Sequence, residues 1–311
     1  MGYKFKKAER QNSKVLIGLY GESGCGKTMS SLMLARGLVG ENGKIAMIDT
    51  EQGRGELYAD VITGGYDTMQ MQAPFSPQNY IGAIDAAEQA GYDAIVIDSA
   101  SHEWEGIGGV LDMAAQNEER TKKAGLHNWK TPKLEHQKFM QRLLASNMHL
   151  IVNLRAKYKS RQVYEKGKSK VVKDDFASPI QAEDFIFEMT AHMEILQNHC
   201  IRITKCSHPE LVKCFENGKA ITYQTGVNIA DWCASGSKPD PKKEAEKPQN
   251  QDLINLCKAI KSEILDASDA IILDDVWSSR QSDLDKIKSE NEQYYNMLND
   301  EYGAKEKSFV F

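Results

Sequence analysis

Gly21-Glu22-Ser23-Gly24-Cys25-Gly26-Lys27-Thr28 decides how this chain is read. The octapeptide fits G-x-x-x-x-G-K-[ST] in full, and it stands between an apolar run, Lys14 to Tyr20, and a helix-forming run, Lys27 to Leu38. In that setting the glycines let backbone N–H groups wrap a phosphate and the helix N-terminus adds its positive end. Lys27 then reaches the β- and γ-phosphates, and the Thr28 hydroxyl ligates magnesium. Gly21 to Thr28, with Met29 in the first helical turn, are the predicted nucleotide-binding residues (Gly21, Glu22, Ser23, Gly24, Cys25, Gly26, Lys27, Thr28, Met29). ATP and Mg2+ are the expected cofactors.

Outward from this loop, short apolar runs alternate with helical patterns. Lys44 to Asp49, Tyr92 to Asp98 and Met148 to Leu154 read as strands; Pro77 to Ala90 and Lys133 to Ala145 read as helices. That rhythm predicts an α/β fold around a mostly parallel sheet. Ala94-Ile95-Val96-Ile97 and Leu150-Ile151-Val152 are continuous rather than alternating apolar runs, as expected of strands covered on both faces. Magnesium needs a further carboxylate, and Asp98 ends its strand at the carboxyl edge beside the loop, so Thr28 and Asp98 form the predicted metal pair. Glu51, after Ile48-Asp49-Thr50, comes near the γ-phosphate if its strand neighbours the loop strand, where a carboxylate orients and deprotonates water. Glu103 and Glu105 are the competing bases. Lys27, Glu51 and Asp98 make up the predicted catalytic set.

From Ala156 to Thr225 the pieces become short and charged (Val171 and Val172, Phe185 to Glu188, His192 to Leu196, Cys200 to Lys205), and they read as antiparallel hairpins added to the sheet. Ser235 to Gln251 is rich in Pro, Lys, Glu and Gln and too poor in apolar groups to pack. The expected organisation is a core over 1–236, a linker over 237–251 and a helical tail over 252–311. In the tail, Asp252 to Ala267 and Ser282 to Leu298 carry apolar groups at helical spacing.

A hydrophobic content of 41% suffices for a full core, and a net charge of −5 excludes a wholesale basic coat, so any nucleic-acid contact must be a local patch. The six cysteines show no paired C-x-x-C spacing, which suits a reducing cytoplasm. The start is polar and Lys-rich without an apolar leader, and no stretch reaches the roughly 18 apolar residues of a membrane span, so a soluble cytoplasmic protein is expected.

The set Gly21 to Thr28, Ile48-Asp49-Thr50-Glu51 and Ile95-Val96-Ile97-Asp98-Ser99 resembles the RecA/RadA recombinase ATPases. Phe5 to about Trp232 resembles more closely the phage-encoded AAA-type nucleotide-binding proteins, minimal RecA-like cores that include single-strand annealing recombinases. The resemblance implies a RecA-like sheet, Glu51 as catalytic base, ATP sites at the interfaces of a homo-oligomer, and single-stranded DNA on loops after the fourth core strand. It also implies a polar γ-phosphate sensor at the end of that strand, Asn153 or, in another alignment, Leu154.

After Asn153 the sequence gathers Arg155, Lys157, Lys159 and Arg161, then Lys166, Lys168, Lys170 and Lys173, with Tyr158 and Tyr164 interleaved. If extended, the first four share a face, a spacing suited to a phosphate backbone, with tyrosines to stack on bases. Arg155, Lys157, Lys159, Arg161, Lys168 and Lys170 are the DNA-binding candidates; the alternatives are a solvated hairpin, or one cation reaching a neighbour's ATP. Lys205, in Ile201 to Lys205, resembles the lysine that RecA-like oligomers supply in trans, and Arg54 is a further phosphate-sensing candidate. Phe5-Lys6-Lys7-Ala8 has the F-x-x-A form of a protomer-docking motif, but an aromatic packed within its own subunit is the ordinary reading. His199, Cys200, Cys206, His208 and Cys214 are too irregularly spaced for a zinc site.

The function expected is ATP hydrolysis coupled to single-stranded DNA in recombination, annealing or repair, in a ring or filament, with a single-strand-binding protein as a further partner. The alternative is a P-loop nucleotide or small-molecule kinase with 155–173 as a lid. A ParA-like switch is disfavoured, because the loop lacks that family's extra lysine.

Overall fold

The computed structural model describes residues 13–165, 168–235, 253 and 256–309, without the side chains of 161, 163–165, 168, 173, 175, 293 and 307. The Phe5-Lys6-Lys7-Ala8 motif, Lys166 and the 237–251 linker lie outside the described residues, as do the side chains of Arg161, Lys168 and Lys173. The chain divides into two compact units, Met1–Ser237 and Lys238–Phe311.

The first unit is built on an eight-stranded sheet. Its strands are β1 (Leu16–Gly21), β2 (Ile45–Asp49), β3 (Asp67–Gln70), β4 (Ala94–Asp98), β5 (His149–Glu165), β6 (Lys168–Pro179), β7 (Ala191–Ile195) and β8 (Ile201–Cys206). They run in the order β3-β2-β4-β5-β1-β7-β8, with β6 paired to β5 alone. All pairings are parallel except β5 with β6 and β7 with β8. This is the expected mostly parallel sheet with antiparallel additions.

The continuous apolar runs have the cause the sequence suggested. Ile17, Leu19, Met47, Val96, Ile151 and Met193 enter one core. Leu16, Tyr20, Ile48, Ile95, Ile97, Leu150 and Val152 enter a second with Tyr80, Phe139 and Phe185. Both faces are thus covered, and neither set of alternating positions is free to be polar.

Helix α1 (Lys27–Val39) lies in the first of these cores, and α7 (Tyr223–Ala234) covers it. A Cβ on Gly37 would meet the Tyr223 carbonyl oxygen at 2.1 Å, so only glycine permits this approach. On the second face, α2 (Pro77–Gln89) packs on α5 (Lys130–Leu144). Between them in sequence come α3 (Ser101–Glu105) and α4 (Val110–Thr121). The short α6 (Pro209–Val212) precedes α7.

Phe185–Glu188, expected as a strand piece, is a 3-10 turn. Phe185 is fully buried in the second core while Phe187 is exposed, so the segment plugs a core from a turn and never joins a ladder. The second unit holds α8 (256–266), α9 (Ala270–Ser279), α10 (Gln281–Glu290) and α11 (Glu292–Lys307) around Cys257, Ile260, Ile264, Leu273, Leu284, Ile287 and Leu298. The single helix expected over Ser282 to Leu298 is broken at Asn291, whose side chain accepts the Tyr294 N–H (3.2 Å) and so starts α11.

Two buried histidines make the fold acid-sensitive. Burial lowers both His149 and His192 from the usual histidine range to about 4. His149 Nδ1 accepts the Val15 N–H (3.4 Å), and His192 stacks on Tyr20 with its Nδ1 2.9 Å from Thr204 Oγ1. Both stay neutral when folded, whereas the unfolded chain protonates them below about pH 6.5. Below that pH the unfolded state binds more protons, so this stability is complete above about pH 6.5 and drains as pH falls towards 4. Urea midpoints are expected to drop between pH 7 and 4.5 by the equivalent of a few kcal/mol. A midpoint that does not move across that range contradicts the assignment.

Candidate nucleotide site

The carboxyl ends of the parallel strands meet in one row. Asp49 pairs across to Asp98, and Asp98 to Asn153, while Gly21 pairs with Arg155. Above this row opens a cavity of about 930 Å³, lined by Ser23, Gly24, Gly26, Lys27, Thr28, Met29, Asp49, Glu51, Arg54, Asp98, Glu105 and Arg155. Leu57, Tyr58, Ile180, His199, Ala220 and Ile221 line it as well.

The phosphate loop joins β1 to α1, as the motif requires. Gly24 and Gly26 take φ of 83° and 94°, a region that side chains with a Cβ rarely enter, and a Cβ on Gly24 would meet nothing within 4 Å. Lys27 folds back onto its own loop, donating to the Gly21 and Glu22 carbonyls (2.9 and 2.8 Å), with Nζ 3.8 Å from Cys25 Sγ. Cys25 is buried beneath the loop, and burial pushes its thiol up.

Thr28 Oγ1 donates to Asp98 Oδ2 (2.6 Å). A hydroxyl and a carboxylate oxygen this close are hard ligands for one small cation, which keeps its remaining positions for water and phosphate. The open loop, Lys27 and this pair therefore fit a Mg2+-bound nucleoside triphosphate. Burial pushes Asp98 up, opposed by hydrogen bonds from Thr28 and Asn153 and by the Lys27 charge. Asn153 is fully buried beneath the cavity, and its Nδ2 donates to Ser31 Oγ (3.1 Å). It stands behind Asp98 and is not among the cavity-lining residues.

Glu51 reaches the cavity by a different route from the one expected. β2 does not neighbour β1; β4 and β5 stand between them. Thr50 closes the gap: its N–H donates to the Asp98 carbonyl (2.7 Å), and its Oγ1 accepts the Ser99 N–H (2.7 Å). Asp49 then shapes the turn, accepting from the Glu51 N–H (2.6 Å) and the Gly55 N–H (2.9 Å). Glu51 is thereby held over the strand of Asp98. Its carboxylate is gripped by Arg155, with Nε to Oε1 at 2.9 Å and Nη2 to Oε2 at 2.8 Å, and Arg54 lies 4.0 Å away. Burial pushes Glu51 up, but the Arg155 hydrogen bonds and charge outweigh it, and its carboxyl sits below the usual glutamate range.

Of the competing bases, Glu103 is fully buried away from the cavity, bonded to His136 Nδ1 (3.0 Å) and Gln181 Nε2 (3.1 Å). Glu105 lines the cavity, 4.0 Å from Lys157.

The basic segment is one long hairpin. β5 leaves the sheet and pairs with β6 from Ala156–Pro179 to Glu165–Lys168. Of the four cations expected to share a face, Arg161 has no described side chain. Arg155 turns into the cavity, and a register shift between Tyr158 and Ser160 interrupts the alternation at Lys159. Lys159 pairs with Glu183 (3.0 Å), and Lys170 is exposed. Lys205 is engaged within its own unit, donating to the carbonyls of Phe187 and Met189.

His199, weighed in the sequence only as a zinc ligand, has a different place. It sits in the β7–β8 turn with φ 65°, and its Nδ1 lies 2.9 Å from the Cys25 carbonyl, buttressing the loop. The Gln197-Asn198-His199 turn composition was the available signal; its contact with a loop some 170 positions earlier was not. No group of three or more potential metal ligands forms among the described residues, the His199 to Cys214 set included, and no described helix is long and apolar enough to cross a membrane.

A family model described as an AAA domain matches residues 13–212. No curated protein matches the chain. Among solved structures, a KaiC-like protein from hyperthermophilic archaea, Pyrococcus horikoshii OT3, is similar at 15% identity, over 62% of this chain and 80% of that one, with a TM-score of 0.37.

Proposed function

The chain belongs to the AAA domain family that matches it, and we propose that it binds and hydrolyses Mg2+-ATP and couples that cycle to single-stranded DNA in recombination, annealing or repair. One observation carries the coupling: β5 runs unbroken from the cavity into the basic hairpin, and at the junction Arg155 grips Glu51.

In this reading Lys27 leaves the loop carbonyls for the β- and γ-phosphates, and Thr28 and Asp98 part to share the metal. Bound there, Mg2+ would neutralise phosphate charge. Glu51 orients the attacking water and takes its proton. Leu57, Tyr58 and Ile221 supply an apolar wall for the base. Lys157, Lys159 and Lys170 contact DNA phosphates. The same reading includes a homo-oligomer, ring or filament, in which Arg54, 71% exposed at the cavity mouth, faces a neighbour's nucleotide. A phage setting and a single-strand-binding partner belong to this proposal too.

Anisotropy of labelled oligo(dT) tests the DNA contact. Binding is expected to be tighter with a non-hydrolysable ATP analogue than with ADP, and to weaken as salt rises. Changing Lys157, Lys159 and Lys170 together to alanine should flatten the log–log salt slope by about 2, at roughly 0.7 per lost contact on single strands. Absence of binding at low salt with either nucleotide counts against the proposal and turns attention to phosphotransfer to a small acceptor.

A further inference from the structure

We propose that Arg155 is a positioning residue that holds Glu51 back from the attacking water and passes to Glu105 when single-stranded DNA takes Lys157. The inference rests on Glu51 as the water-activating carboxylate and on the hairpin as the DNA contact.

Arg155 engages both oxygens of Glu51 in a parallel fork, at 2.9 and 2.8 Å. This is the strongest geometry a carboxylate and a guanidinium adopt. A base so held is fixed in place and is a poor proton acceptor, so the site as it stands is not armed.

The backbone of Arg155 cannot carry the release. Its N–H donates to Ser101 Oγ (2.9 Å), and its carbonyl accepts the Ile180 N–H (2.7 Å) from the far strand of the hairpin. The side chain is the movable part, rooted where the sheet becomes the hairpin.

A second acceptor, Glu105, lines the same cavity as Arg155. Its present partner is Lys157, 4.0 Å away and 63% exposed. An exposed pair at that distance is weak, and a row of DNA phosphates outcompetes a single carboxylate for the lysine. Losing Lys157 leaves Glu105 uncompensated in the same cavity, which shifts the balance of the Arg155 guanidinium from Glu51 towards Glu105.

Steady-state kinetics without DNA test the restraint. Arg155→Gln is expected to raise kcat about tenfold, the effect of a barrier lowered by one decade, with KM within about twofold of wild type. Arg155→Lys, which keeps the charge and loses the fork, should fall between. Glu51→Gln with Arg155→Gln should return to the rate of Glu51→Gln alone. A kcat that stays level or falls in Arg155→Gln, while Glu51→Gln stops turnover, overturns the restraint and leaves Glu51 as base. Wild-type turnover in Glu51→Gln removes the base reading and this inference with it. A readout free of turnover is the Arg155 Nε–H resonance of the wild-type protein. Its chemical shift should move on adding oligo(dT) and a non-hydrolysable ATP analogue, as the guanidinium changes carboxylate; a shift indifferent to saturating oligo(dT) overturns the trigger.

Discussion

Lys27→Ala is expected to abolish ATP turnover, by about 10²–10³-fold or more, and to weaken nucleotide binding with it. No other cation stands on the loop itself: Arg54 and Arg155 line the cavity too, but both are turned to Glu51. The fold should survive the change, because the hydrogen bonds of the Lys27 side chain all go to its own loop. Calorimetric titration with ATP beside a thermal melt checks both halves. Unaltered binding in a folded variant would mean that the cavity is not the nucleotide site.

Glu51→Gln should separate binding from chemistry. The amide keeps the size of the carboxylate and one acceptor for Arg155 but cannot take a proton, so turnover should fall by about 10²–10⁴-fold. Thr28, Asp98 and the loop are untouched, so the affinity for ATP should change little. Single-turnover hydrolysis measured beside binding makes the comparison. Retained turnover would transfer the role to Glu105, the other glutamate lining the cavity.

How much of this was legible in the sequence follows from how local each feature is. The phosphate loop and the strand of Asp98 were readable because a contiguous motif and a four-residue apolar run, Ala94 to Ile97, each carry their own signal. The place of Glu51 was not, since strand order is a property of the whole sheet; the condition set for it, β2 beside β1, is not met, and Thr50 makes the connection instead. β3 was invisible because all four of its residues are exposed, leaving no alternation to detect.

The hairpin was seen as fragments for a related reason. β5 continues beyond the core, where its described side chains are at most half-buried and impose no period, so only its part up to Leu154 is legible as a strand. α7 carried a signal that went unused: Thr222 and Thr225 form a capping box, and Thr225, Ile229 and Cys233 recur at a four-residue spacing on the buried side. Arg155 was assigned by composition to the basic cluster, whereas its position, paired with Gly21 at the end of the sheet, turns it to the cavity. Composition locates charge in the chain, and the register decides where that charge points.

The central claim is that ATP hydrolysis in this cavity is coupled to single-stranded DNA. Steady-state ATP hydrolysis with and without oligo(dT), at several salt concentrations and with Lys27→Ala as the blank, tests it most directly. The account predicts stimulation by DNA that fades as salt rises, as expected when phosphate contacts on the hairpin set the coupling. A rate above the blank that ignores DNA at every salt concentration would contradict it.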